Sequence, residues 1–178
     1  MDSFEYNGNP ARLLFGLGSR YRLPEELKRL SLHKPILLST PGQLEKAAEL
    51  ARTLAEASIT VACTFSKAAM HTPTSVTKTA VEHAQLNNAD SIVTIGGGSA
   101  IGLGKAVSIR TGLPHIAVPT TYAGSEMTPI LGETEGGLKK TRSDPAVLPR
   151  AIIYDVSLTL ALPSELSAVS GVNAIAHA

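Results

Sequence analysis

Short apolar runs alternate with helix-period segments along nearly the whole chain, and no other feature narrows the fold as far. ARLLFG (11–16), PILLST (35–40), TVACTF (60–65), DSIVTI (90–95), HIAVP (115–119) and RAIIYD (150–155) read as strands. Between them PEELKRL (24–30), with proline in its first turn, QLEKAAELARTLAEA (43–57), SVTKTAVEHAQLNNA (75–89) and SAIGLGKAVSIRTG (99–112) read as helices. The second of these places Leu44, Ala47, Ala48, Leu50, Ala51 and Leu54 on one stripe, and the fourth is stopped by Gly112 and Pro114. Strand and helix in alternation predict a parallel sheet covered on both faces, a Rossmann-like α/β fold. A polar, glycine-containing excursion separates the last two strands. A further helical pattern begins at PSEL (163–166) and still runs at Ala178 with no stop signal. We expect a dinucleotide-binding α/β domain over 1–160 and the start of an all-helical domain over 161–178, its remainder lying outside this chain.

Composition removes several classes of function. Sixteen basic residues stand against fifteen acidic ones in 178, so no strong field would draw the chain to nucleic acid or to a membrane surface. No apolar run nears the roughly 18 residues that cross a bilayer, and the N-terminus lacks the order of a signal peptide. A single cysteine, Cys63, excludes an internal disulfide framework and a cysteine-rich metal site. Cytoplasm is the expected compartment.

Chemistry concentrates in two stretches. TIGGGSAIGLGKA (94–106) follows an apolar strand directly and opens a helix. Without side chains at Gly96, Gly97 and Gly98, backbone can approach a diphosphate, whose charge the helix start favours; Ser99 can cap the helix or meet a phosphate oxygen. Gly102 and Gly104 fall inside the helix, each at a cost of roughly 1 kcal/mol against alanine, and call for a close neighbour in compensation. The Walker pattern fails because Ser99 stands where it needs glycine and Ala106 where it needs Ser or Thr. The dinucleotide fingerprint G-x-G-x-x-G breaks at Ile101, so a tight strand–helix turn without a ligand stays open. VPTTYAGSEMTP (118–129) follows the next strand and brings Thr120, Thr121, Tyr122 and Ser125 to the same sheet edge, as ligand contacts or as a self-satisfied turn. His33, His83 and His115 show no ligand spacing and belong to surfaces or strand ends. Asp155 and Glu126 fall near loops, with no isolated carboxylate pair suited to acid–base work.

GGGSAIGLGKA, PTTYAGSEMTPI, KKTRSDPAVLPR (139–150) and LPSELSAVSGVNAIAHA (162–178) together resemble the iron-containing (group III) alcohol dehydrogenase family, and its maleylacetate reductase branch most closely. ARLLFGLGS and MHTP (70–73) resemble the same branch. The resemblance implies an NADH- or NADPH-dependent oxidoreductase that reduces the carbon–carbon double bond of maleylacetate to 3-oxoadipate in aromatic-compound breakdown. It implies a homodimer with no nucleic-acid or membrane partner, and a chain inactive without its helical half. It places Gly97, Gly98 and Ser99 on the cofactor diphosphate, Thr120, Thr121 and Ser125 along the cofactor, and Lys139, with Lys140 beside it, at the ribose. Ser39 and Thr40 stand where NADH-strict relatives carry an acid, which implies use of either nicotinamide cofactor. Asn173 and His177 match the positions where metal-dependent relatives place an aspartate and a histidine. An amide is a poor ligand for a divalent cation, so no metal is expected; both residues become substrate contacts, and His177 the catalytic imidazole. Gly102 replaces an aspartate of the wider family, and His71 is similar to a position near the nicotinamide. The competing readings are another group III dehydrogenase acting on a carbonyl, and a nucleotide-binding module without chemistry.

Overall fold

The computed structural model describes residues 12–177, with side chains through Ile175. The first eleven residues of the expected α/β domain, and the side chain of His177, lie outside the described residues.

The strands are β1 (Arg12–Gly16), β2 (Pro35–Ser39), β3 (Cys63–Phe65), β4 (Ser91–Gly96), β5 (His115–Pro119), β6 (Ile130–Glu135), β7 (Leu138–Ser143) and β8 (Ala151–Asp155). The helices are α1 (Leu23–Arg29), α2 (Leu44–Glu56), α3 (Thr74–Leu86), α4 (Gly98–Thr111) and α5 (Ser164–His177). Six strands form one sheet in the order β1-β8-β5-β4-β2-β3, every pair parallel. The alternation read from the sequence is therefore realised. Only β3 is much shorter than its apolar run, and the excursion after β5 holds an antiparallel hairpin of β6 and β7.

Side-chain alternation in the strands feeds two cores. Leu37, Val93, Ile95, Ile116 and Val118 point to one face, where α1 and α2 bury Leu23, Leu27, Ala47, Leu50 and Leu54. Ile36, Leu38 and Ile92 point to the other, against Ala80 and Ala84 of α3 and Ala100, Leu103 and Val107 of α4. Apolar residues at both odd and even strand positions are what a sheet covered twice requires.

Helices on opposite faces follow β2 and β4, and the chain leaves these adjacent strands in opposite directions: β2 leads outward to β3, β4 leads back across to β5. The carboxyl ends of β2 and β4 therefore flank the switch point of the sheet, where open α/β folds take their ligands.

α4 is buried almost all round, because the β6–β7 hairpin and the turn after it pack outside it: Leu131 and Val147 close on Ala106. Gly136 and Gly137, both at positive φ, make the hairpin's two-residue turn. Arg110 of α4 bonds Glu133 of β6 at 3.0 Å, and the Thr77 hydroxyl of α3 reaches the same carboxylate at 3.2 Å. The two glycines inside α4 find the close neighbours that their cost calls for. A Cβ at Gly102 would stand 2.6 Å from the Thr72 hydroxyl, and one at Gly104 would overlap Thr94 and His115 of the sheet. The His115 ring shares a 2.8 Å hydrogen bond with the Thr94 hydroxyl. Burial, then the charge of Lys105, pushes its pKa down to about 3, so the ring is neutral. It does start a strand, as expected, but it is fully buried there.

Candidate functional site: a cleft at the switch point

A cavity of about 680 Å³ opens where β2 and β4 diverge. One wall is the strand–helix turn. Gly97 precedes α4 with extended backbone, and Ala100 and Ile101 both donate to its carbonyl (3.0 and 3.1 Å). An α-helix leaves its first N–H groups without an intrahelical acceptor; here those belong to Gly98 and Ser99, which line the cavity. The turn has no room for a side chain, since a Cβ at Gly97 would lie 2.9 Å from both Cγ2 and Oγ1 of Thr121.

The opposite wall is the segment after β5. Thr120 donates its backbone N–H to the Gly96 carbonyl at 3.1 Å, which ties this segment to the glycine turn. Thr121 and Ser125 face the cavity, and the Ser125 hydroxyl is buried without a hydrogen-bond partner. Lys139 of β7, Thr40 after β2, His71 and Asn173 of α5 complete the rim. None of the described lining residues is a carboxylate. With the positive end of α4 on one side and Lys139 on the hairpin side, the cleft suits an anion.

Of the residues read from the sequence, Thr40, Gly97, Gly98, Ser99, Thr121, Ser125, Lys139 and Asn173 are brought together around this cavity. Two others are not. Ser39 is fully buried in β2 with its hydroxyl on that of Ser66 at 2.8 Å, and Thr120 is buried outside the cleft lining, its hydroxyl without a hydrogen-bond partner. Strand alternation explains the first, which ends β2 beside the lining residue Thr40; Thr120 lies in the bend just past β5. His71 and Thr72 sit at the rim in consecutive left-handed conformations (φ 62° and 46°). Lys140 points elsewhere, to Glu135 at 3.0 Å.

Sequence reasoning passed over Lys105, which is 1% exposed and forms part of the cavity floor. A lysine on a helix reads as solvent-facing; the small residues around it (Gly102, Gly104, Ala106) were the available signal that this helix is buried. Its ammonium donates to the carbonyls of Ser125, Thr128 (2.7 Å) and Ile130 (2.9 Å). Burial pushes its pKa down to about 8 against the opposing pull of Glu126. Glu126 and Asp155, read as loop-side residues, are both buried.

A second cavity, about 580 Å³, lies across β5 on the same sheet edge, between Leu13, Phe15, Tyr122 and Val156. Glu126 reaches it with one carboxylate oxygen on the Tyr154 hydroxyl (2.7 Å) and the other buried without a partner. Asp155 is tied to the Gly18 N–H (3.0 Å), the Arg20 guanidinium (2.7 Å) and Ser157 (2.7 Å).

Comparison with known proteins agrees with this architecture. The iron-containing alcohol dehydrogenase profile matches residues 10–156. Maleylacetate reductase of Rhizobium sp. (strain MTP-10005) is 52% identical over 178 residues, which is 100% of this chain and 50% of that protein. Maleylacetate reductase of Sphingobium indicum is 49% identical over 175 residues, 98% of this chain and 49% of its own length. The crystal structure of maleylacetate reductase from Agrobacterium tumefaciens superposes with a TM-score of 0.93 at 51% identity, covering 99% of this chain and 50% of the other. The chain thus spans about half the length of the curated relatives it matches. With the profile running through the sheet, the glycine turn and the hydroxyl-bearing segment, the chain belongs to the iron-containing alcohol dehydrogenase family.

Proposed function

We propose that this chain is the cofactor-binding part of a maleylacetate reductase, using NADH or NADPH to reduce the carbon–carbon double bond of maleylacetate to 3-oxoadipate. The observation that carries the reading is identity of about one residue in two, along the entire chain, with a maleylacetate reductase. The cleft fits such a cofactor on its own chemistry: glycine backbone that a Cβ would block, the amino end of a long helix, and an orphaned buried hydroxyl at Ser125.

When bound, a reduced nicotinamide supplies the hydride. This chain's residues bind and orient. Gly97, Gly98 and Ser99 receive the diphosphate, Thr121 and Ser125 meet the cofactor from across the cleft, and Lys139 approaches from the hairpin to pair with ribose or phosphate oxygens. Thr120 acts by holding the two walls together, and Ser39 by packing beneath Thr40. Thr40 puts a neutral hydroxyl at the end of β2, which accepts either a ribose hydroxyl or a 2′-phosphate. Asn173 and His177, one turn apart on α5, are the substrate contacts of this reading, with His177 as a proton donor. Hydride addition to an alkene conjugated with a carbonyl builds enolate charge, so hydrogen-bond donors near this end of the cleft lower the barrier. For a divalent metal the same pair offers one neutral amide and one imidazole, a weak donor set; turnover without metal is part of the proposal. So are a cytoplasmic location and a homodimer. Among the described residues no helix is long and apolar enough to cross a membrane.

The test is an assay of the full-length enzyme, following loss of NADH absorbance with maleylacetate and, separately, with simple aldehydes. Turnover of maleylacetate that survives exhaustive chelation supports the reading, with NADPH active alongside NADH. Aldehyde reduction alone, or activity that tracks bound iron, overturns it. Thr40→Asp should weaken NADPH about tenfold while NADH changes little, through repulsion of the extra phosphate.

A further inference from the structure

Lys105 is the one cation among the buried residues of α4, and its three hydrogen bonds to carbonyls all run to one short segment. The acceptors are the carbonyls of Ser125, Thr128 and Ile130, with the Thr128 hydroxyl within 3.4 Å. That segment begins at the orphaned Ser125 hydroxyl and runs directly into β6. An ammonium has three N–H donors, and here each finds a carbonyl of the same segment. A buried charge is costly unless its hydrogen bonds are complete, and a lysine of this length would ordinarily carry its ammonium out to water. A residue needed only to fill space would be apolar.

We propose that Lys105 is a positioning residue for the coenzyme cleft. By holding the Ser125–Ile130 segment against α4 it sets the Ser125 hydroxyl opposite the start of the helix. It also fixes where the hairpin bearing Lys139 enters the wall. The proposal rests on the coenzyme reading above and adds to it a residue that acts through its neighbours.

Lys105→Met keeps the volume and removes all three donors; Lys105→Gln keeps two. In the full-length enzyme, NADH binding is measured by fluorescence titration, kcat at saturating NADH by absorbance, and amide hydrogen exchange by mass spectrometry. Lys105→Met should raise Kd and KM for NADH at least tenfold and leave kcat within threefold. Exchange should quicken over residues 125–131 while β4 and β5 stay protected. Lys105→Gln should fall between it and wild type. A Lys105→Met enzyme that unfolds cooperatively yet binds NADH within twofold of wild type overturns the proposal. If that variant does not fold, Lys105→Gln is judged by the same twofold criterion. Wild-type enzyme that binds no NADH would instead overturn the coenzyme reading itself, and this proposal with it.

Discussion

The two cavities on the carboxyl edge of the sheet have similar volumes, about 680 and 580 Å³, yet different materials stand behind them. The first lies at the switch point, with bare backbone, the start of α4 and hydroxyls facing inward. The second lies between β5, β8 and β1, and its wall is largely apolar, with Phe15 78% exposed. Of its charged groups, Asp155 is engaged in holding the loop at Gly18–Arg20, and Glu126 accepts from the Tyr154 hydroxyl. Size does not distinguish the two cavities; the strand–helix turn does, because the amino end of α4 lines the first and no α-helix start lines the second.

Three substitutions would break or sharpen this contrast. The largest effect should come from Asp155→Asn beside the apolar cavity, which leaves the Arg20 charge without its buried partner at a cost of about 3 kcal/mol. Urea unfolding would read it, with NADH affinity unchanged; a tenfold loss of affinity would mean that the second cavity belongs to the coenzyme after all. Burial alone would raise the Asp155 pKa, but its bonds to Ser157, Arg20 and Gly18 hold it at about 2, below the ordinary 3.8. Its stabilisation is therefore complete above the ordinary value and fades as pH falls towards 2. In Asp155→Asn that portion of the acid transition should vanish.

Next in size is Gly97→Ala at the switch point. The new methyl would meet Thr121 and displace the turn, and a shift near 1 Å at a binding site costs about a hundredfold. NADH titration should show that loss with the unfolding midpoint nearly intact, and Thr121→Ala in the same protein should recover about tenfold. Failure of the second change to help would place the fault elsewhere than in this contact. The smallest effect belongs to Ser125→Ala. Removing an orphaned hydroxyl should leave the free enzyme as stable as before or slightly more so. NADH affinity should drop about fivefold, near the worth of one hydrogen bond. A stability loss without an affinity loss would show that the hydroxyl serves the fold.

Legibility from sequence divides along the same line. The sheet was readable because fully buried parallel strands are nearly continuous apolar runs, and the glycine turn because backbone access leaves a compositional trace. The hairpin left less: Gly136–Gly137 marks its turn, but all six residues of β7 are exposed, so Leu138–Ser143 lacks the alternation that marks a half-buried strand. Lys105 and Glu126 were missed for a related reason. Charge predicts solvent unless tertiary partners are known, and theirs lie some twenty residues away in sequence or more. Ser39, buried beside the lining residue Thr40, shows the limit of motif reading. A motif names neighbours along the chain, while a strand sends adjacent side chains to opposite faces.

The contact between Gly104 and the pair Thr94–His115 reaches further than its place suggests. It sets how low the helix rides on the sheet, and about 9 Å of stiff backbone separates it from the amides at the cleft. A methyl forced in beneath would tilt that rod and lift its far tip, so drift at residue 104 should be tolerated no better than drift in the binding wall. On the proposed reading, the geometry offered to the coenzyme is thus set partly underneath the helix, at a contact outside the cleft lining.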